Sequence, residues 1–229
     1  MRNSAQPTLL WFRNDLRLTD NPALAWAVEQ GGAVIPVFIW SPEDEAPWSP
    51  GAASRWWLHQ SLRALDSALR GRGLRLVLRS GRVLPALKEL IAETGAVAVA
   101  WNRRYEPGMT AREGRVSDSL RSGGIAAESF NASLLFEPGD IQNGSGQPFR
   151  VFTPFWKACT RSAAALAPVR PPRRIAAPAA WPESAALASL ELEPRTDWAA
   201  GIRAAWRPGE AGAQAQLRRF LRRSLAGYA

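Results

Sequence analysis

Five short apolar runs, each separated from the next by a stretch with helical or turn character, constrain this 229-residue chain more than any other feature. Thr8–Phe12 (TLLWF), Val34–Trp40 (VIPVFIW), Leu74–Leu78, Ala96–Trp101 and Ile125–Phe130 have strand length and little polar alternation, as expected of strands covered on both faces. After the first, Asn21-Pro22 offers an N-cap followed by proline at the first helical position, and Gly31-Gly32 ends that helix. Ala52–Arg70 carries Trp56, Leu58, Leu62, Leu65 and Leu69 at helical spacing and stops at Gly71. Leu84, Leu87, Leu90 and Ile91 mark another helix, closed by Gly95, and Thr110–Arg121 a further one. Short connections between such units predict an α/β fold: a five-stranded parallel doubly wound (Rossmann-like) sheet.

In open sheets of this kind ligands settle outside the carboxyl ends of the strands. The first strand empties there into Arg13-Asn14-Asp15-Leu16-Arg17, with Asp20 beyond; Trp40-Ser41 and Asn102–Glu106 end the second and fourth. The turn after the first strand has no glycine, so pyrophosphate has no close approach to its backbone. That argues against a dinucleotide site, and with no Walker loop in the sequence the NAD and ATP readings are weak. Gly144-Ser145-Gly146 precedes Gln147-Pro148 and predicts a hairpin turn. The only histidine, His59, lies inside the second helical stretch, which argues against a Ser-His-Asp triad or a histidine metal cluster, and the single cysteine, Cys159, excludes an intrachain disulfide. Both residues read as structural, Cys159 as buried filler. The 11 tryptophans read mostly as core packing.

A single cysteine suits a reducing compartment, and no stretch is long and apolar enough to span a membrane. The expectation is a cytoplasmic monomer without membrane attachment. The net charge of +9 is almost wholly arginine, with only Lys88 and Lys157 as lysines. Such a bias fits a GC-rich coding habit as well as a polyanion partner.

Taken together, LLWFRNDLRLTDNPAL, VIPVFIWSP, SRWWLHQSLRALDSAL, VAWNRRYEP and GSGQPFRVFTPFWKAC resemble the DNA photolyase/cryptochrome family. The resemblance runs from Thr8 to Cys159 and continues weakly through WRPGEAGAQAQLRRFLRRSLAGYA. It implies an N-terminal α/β domain that holds a light-harvesting antenna chromophore, of folate or deazaflavin type. A linker would join it to a helical domain where FAD splits pyrimidine dimers in damaged DNA. The expected organisation is an α/β domain at 1–132, a loop and short helix completing it at 133–165, a Pro/Ala-rich linker at 166–205, and the first helix of a truncated FAD domain from 206. Trp181 and Trp198 would anchor the linker. In FTPFWK, Thr153 would cap a short helix opened by Pro154, with its aromatics beneath the linker.

Carried over position by position, the resemblance places the antenna against Phe12, Arg13, Asn14 and Asp15 of the first turn, and Trp40 of the second strand. Gly51, Ser54 and Arg55 would begin the flanking helix, and Asn102, Arg103, Glu106 and Met109 follow the fourth strand. Arg13 or Arg55 would take a carboxylate or phosphate tail bidentately. Gly108 and Met109 stand where folate-binding members carry an acidic residue, so the antenna's identity stays open. Leu217, Phe220, Leu221, Leu225 and Tyr228 share one helical face and four arginines the other, a stripe that asks for a partner surface, the expected partner being the missing FAD domain. The chain is thus expected to be the antenna-binding portion of a photolyase, without catalytic residues, FAD or metal of its own. The alternatives are a cryptochrome fragment or a free-standing α/β ligand-binding module.

Overall fold

The computed structural model describes residues 6–162 and 168–228. Its centre is a five-stranded, all-parallel sheet of β1 (Thr8–Phe12), β2 (Val34–Trp40), β3 (Val77–Ser80), β4 (Ala98–Asn102) and β5 (Ala126–Phe130), in the order β3-β2-β1-β4-β5. Strand order reverses between β1 and β4, where Thr8 pairs with Ala98 and Trp11 with Trp101. Side chains of β1 alternate between two cores, as the pleat requires. Leu10 and Phe12 pack with α1 (Pro22–Glu29) and α2 (Ala52–Arg70), while Leu9 and Trp11 pack with α3 (Val83–Thr94) and α4 (Pro107–Ser122). The doubly wound arrangement expected from the apolar runs is the one observed.

Helix ends follow local chemistry. The Asn21 side chain accepts from the Leu24 N–H at 3.0 Å with Pro22 opening α1, and Gly95 closes α3 in the left-handed region, at φ 65°. The hairpin expected around Gly146 forms, with Gln142 bridging Pro148. Strand starts differ from expectation. Leu74 and Leu76 are buried, yet β3 begins only at Val77, opposite Val37. Pro36 precedes that pair in β2 and has no N–H to give a neighbour. Apolar character reports burial, whereas the ladder begins where donors exist. Helix α4 starts at Pro107 rather than Thr110, because proline fits the first turn.

Beyond β5 the helices α5 (Phe152–Ser162), α6 (Ala200–Ala205) and α7 (Glu210–Arg223) follow. Thr153 lies inside α5 and does not precede it. Phe152 and Trp156, expected beneath the linker, are 71% and 53% exposed and stacked on each other. The junction expected at 165–166 lies outside the described residues. Trp181 packs against both cores with the Arg75 guanidinium 5.2 Å from its ring. Trp198 is no anchor, being 42% exposed; Leu190, Leu192 and Ala199 are buried in its stead.

Candidate functional site

The charged turn after β1 closes the sheet at its switch point. Arg13 is buried, and its guanidinium bonds the Glu113 carboxylate of α4 and the Asn102 carbonyl at the end of β4, lying 4.6 Å from the centre of the Trp11 ring. Glu113 also accepts from the Trp101 indole at 2.8 Å and the Arg104 N–H at 3.2 Å. Asn102 donates to Asp15 and to the Asn21 oxygen, and accepts from the Ala23 N–H. A buried charge is tolerable only with a partner and hydrogen bonds to its polar atoms; Glu113 supplies the partner, and Glu113 with Asn102 engages both terminal guanidinium nitrogens.

Above this network opens a cleft of about 860 Å³, walled by the Arg13–Arg17 turn, the loop before α2, α2 itself and α7. Trp48, Trp57, Leu58 and Leu217 form its apolar side; Arg17, Glu45, Arg104 and Glu210 its polar side. Arg104 reaches Glu45 at 2.9 Å and Glu106 at 2.8 Å. Burial opposes the Arg104 charge, but Glu106 and Glu45 outweigh it and hold the pKa above its ordinary value. Arg104 in turn holds the Glu106 carboxyl below its usual range. Glu210 accepts from the N–H groups of Leu18 (2.9 Å) and Thr19 (3.0 Å), tying α7 to the turn.

A smaller chamber of about 40 Å³ adjoins the cleft, sharing Arg13, Asn14, Glu45, Pro50 and Leu58 with it and adding Trp11, Trp40 and Arg112. Arg112 is buried, and desolvation pushes its pKa down; its one bonded nitrogen donates to the Asp44 carbonyl at 3.1 Å. The Trp11 Nε1–H, Arg13 Nε–H and Arg112 Nε–H have no acceptor among the described residues. Each such orphan costs on the order of 1–3 kcal/mol if left unpaired. Three on residues lining one chamber mark a place for an acceptor.

Of the residues singled out in the sequence, Arg13, Asn14, Asp15 and Ser54 line the cleft and Trp40 the chamber. Phe12 is core, and Asn102 lies buried among Asp15, Asn21 and Ala23. Gly51 precedes α2 at the surface and lines no described cavity. Arg55 points away, into a separate hollow with His59 and Glu193. Arg103 turns to β5, donating to the Ser129 carbonyl. Glu106 is engaged by Arg104, and Met109, in the first turn of α4, lines no described cavity. Of the two arginines expected to take a carboxylate or phosphate tail, Arg13 has both terminal nitrogens on Glu113 and Asn102, and Arg55 lines a hollow separate from the cleft. Trp57, three residues beyond Ser54 and so on the same helical face, was legible as a wall residue; Glu210 was not, since only folding brings it beside Thr19.

The family sequence profile described as DNA photolyase matches residues 8–174. The chain belongs to the DNA photolyase family. This photolyase-family chain is 46% identical over 223 residues to the deoxyribodipyrimidine photo-lyase of Agrobacterium fabrum, covering 97% of the chain and 46% of the relative. It is 39% identical to cryptochrome-2 of Arabidopsis thaliana, covering 97% of the chain and 37% of that protein. The crystal structure of a class III photolyase from Agrobacterium tumefaciens superposes with a TM-score of 0.90 at 45% identity, over 96% of the chain and 45% of the solved one. The chain thus spans under half the length of these relatives, and its α/β fold matches the N-terminal domain of photolyase structures.

Proposed function

We propose that this chain is the antenna-binding portion of a light-dependent DNA repair photolyase, and that the cleft beside the β1–β4 switch point holds the chromophore. The observation that carries the reading is a chamber three of whose lining residues each carry an unpaired N–H, adjoining an aromatic-walled cleft. A planar heteroaromatic bears ring nitrogens and carbonyls that accept such donors, while Trp57 and Leu58 offer its face an apolar wall. Trp11, Arg13 and Arg112 would hold its edge, and Trp48 and Trp57 its plane. When bound, such a chromophore absorbs near-ultraviolet or blue light and passes the excitation on. The chain's residues position it and exclude water. Flavin chemistry on pyrimidine dimers is assigned to the part of the relatives that this chain does not cover, with the exposed apolar stripe of α7 as the surface facing it. The 39% identity to a plant cryptochrome supports a second reading, in which the same module serves a light sensor.

Titrating the chain with a reduced folate and, separately, with a deazaflavin while following tryptophan fluorescence tests the site. Saturable quenching by one of them, weakened by Trp57→Ala and by Arg112→Met, is the expected result. Quenching by neither, or quenching indifferent to both substitutions, sinks the assignment.

A further inference from the structure

A second arginine-lined cavity lies at the opposite, amino-terminal end of the sheet. It measures about 610 Å³ and is lined by Arg72, Arg173 and Arg174 together with Gly31, Gly32 and Gly71, among others; no carboxylate is among its lining residues. It shares no lining residue with the chromophore cleft. None of the three arginines has a carboxylate within 4.0 Å among the described residues.

The segment carrying Arg173 and Arg174 is pinned along its length. Asp20 and Val169 exchange hydrogen bonds of 3.0 Å, one through the Asp20 backbone N–H and one through its side chain. Arg72 donates to the Pro172 carbonyl at 3.0 Å, Val34 N–H to the Ala176 carbonyl at 2.9 Å, and Ile175 packs on the core. Pro171 and Pro172 restrict the backbone further. Binding a ligand here therefore orders the exposed Arg173 and Arg174 side chains but little of the backbone that carries them. Gly31, in the left-handed region at φ 78°, and its glycine neighbours leave the cavity wall as bare backbone.

The carboxyl ends of α1 and α2 also reach this cavity, and they favour cations. Each end is worth about half a negative charge, so the two together balance about one of three guanidinium groups. The remainder calls for an anion of charge about two or more. Guanidinium pairs phosphate oxygens bidentately, and a concave cavity suits a compact anion better than a strand laid along a ridge.

We propose that this cavity binds a multiply charged phosphate group, the di- or triphosphate of a free nucleotide or its inorganic counterpart. Isothermal titration of the 229-residue chain with inorganic tripolyphosphate, and with a nucleoside triphosphate, tests it. Binding of tripolyphosphate is expected in the parent chain and in an Arg222→Gln/Arg223→Gln control that removes the same charge elsewhere. In Arg173→Gln/Arg174→Gln it should weaken by at least about tenfold, the worth of one charge-assisted bond. Tighter binding of the nucleoside triphosphate assigns the phosphate to a nucleotide; equal affinity assigns it to the inorganic anion. Unchanged thermal midpoints show that both variants fold. Equal loss in the two variants, no tripolyphosphate binding, or binding only of a single-stranded oligonucleotide each overturns the proposal.

Discussion

Arg13 shows how a residue that looks like a free ligand-binding group can have most of its donors spent on the fold. In the sequence it ends a strand within a cluster of charges; in the structure both terminal guanidinium nitrogens are engaged, and the cation is compensated by Glu113. Removing Glu113 strands a buried cation and frees the Trp101 indole and the Arg104 N–H. Glu113→Ala is expected to cost about 3–5 kcal/mol by urea denaturation, and Arg13→Met in the same background to recover part of it. A full-sized loss from Arg13→Met that adds to that of Glu113→Ala contradicts the pairing. His59 gives a second residue-scale prediction. Burial, foremost, and Arg63 hold its pKa below 6.5, against the opposing pull of Glu193. The unfolded chain then takes up the proton at higher pH than the folded one. The stability that neutral His59 confers is complete above pH 6.5 and lost as pH falls from there through the lowered folded value. Replacing His59 by Asn should flatten that decline in denaturant midpoint, and an unaltered pH profile would show that His59 does not set it.

Among elements, α1 was legible to its caps because capping is local: Asn21 and Pro22 act on the turn they begin. Asn21 does more than the sequence suggests, since its oxygen also accepts from Asn102 and its amide donates to the Arg17 carbonyl. Asn21→Ala should therefore cost about 2 kcal/mol in chemical denaturation, at the upper end for a cap. A loss of only a few tenths would mean the links to Arg17 and Asn102 are idle. The start of β3 was misread because hydrophobicity and ladder pairing begin at different residues, with Pro36 in between. Helix α7 is held by Glu210 on the Leu18 and Thr19 N–H groups. Glu210→Ala is expected to speed hydrogen exchange along α7 while the sheet amides keep their protection; uniform acceleration would instead mean that α7 supports the whole fold.

For the whole molecule, the apolar surface left outside the two cores is the notable feature. Leu217, Leu221, Leu225 and Tyr228 around α7, and Phe152 and Trp156 on α5, are each about half exposed or more. Patches of this kind mark docking surfaces, in keeping with a chain that spans under half the length of its relatives. Leu221→Gln with Leu225→Gln should lower the binding of a hydrophobic dye to the isolated chain and leave its thermal midpoint in place. A drop in the midpoint would place these leucines in the chain's own core.

The α/β class, the parallel sheet, the ends of α1 and α3 and the family were all present in the linear chain. Each rests on periodicity, capping or ordered motifs, and these are properties of neighbours in sequence. The cleft had to await folding. Its walls come from the turns after β1 and β4, from α2 and from a helix some 190 residues downstream, so which charges stay available depends on partners that sequence distance conceals. Glu113 and Asn102 took up the terminal nitrogens of Arg13 and left its Nε–H, Arg55 was turned to a separate hollow, and Trp57 and Glu210 were brought in, because desolvation lets a buried charge survive only where tertiary structure delivers its counterpart.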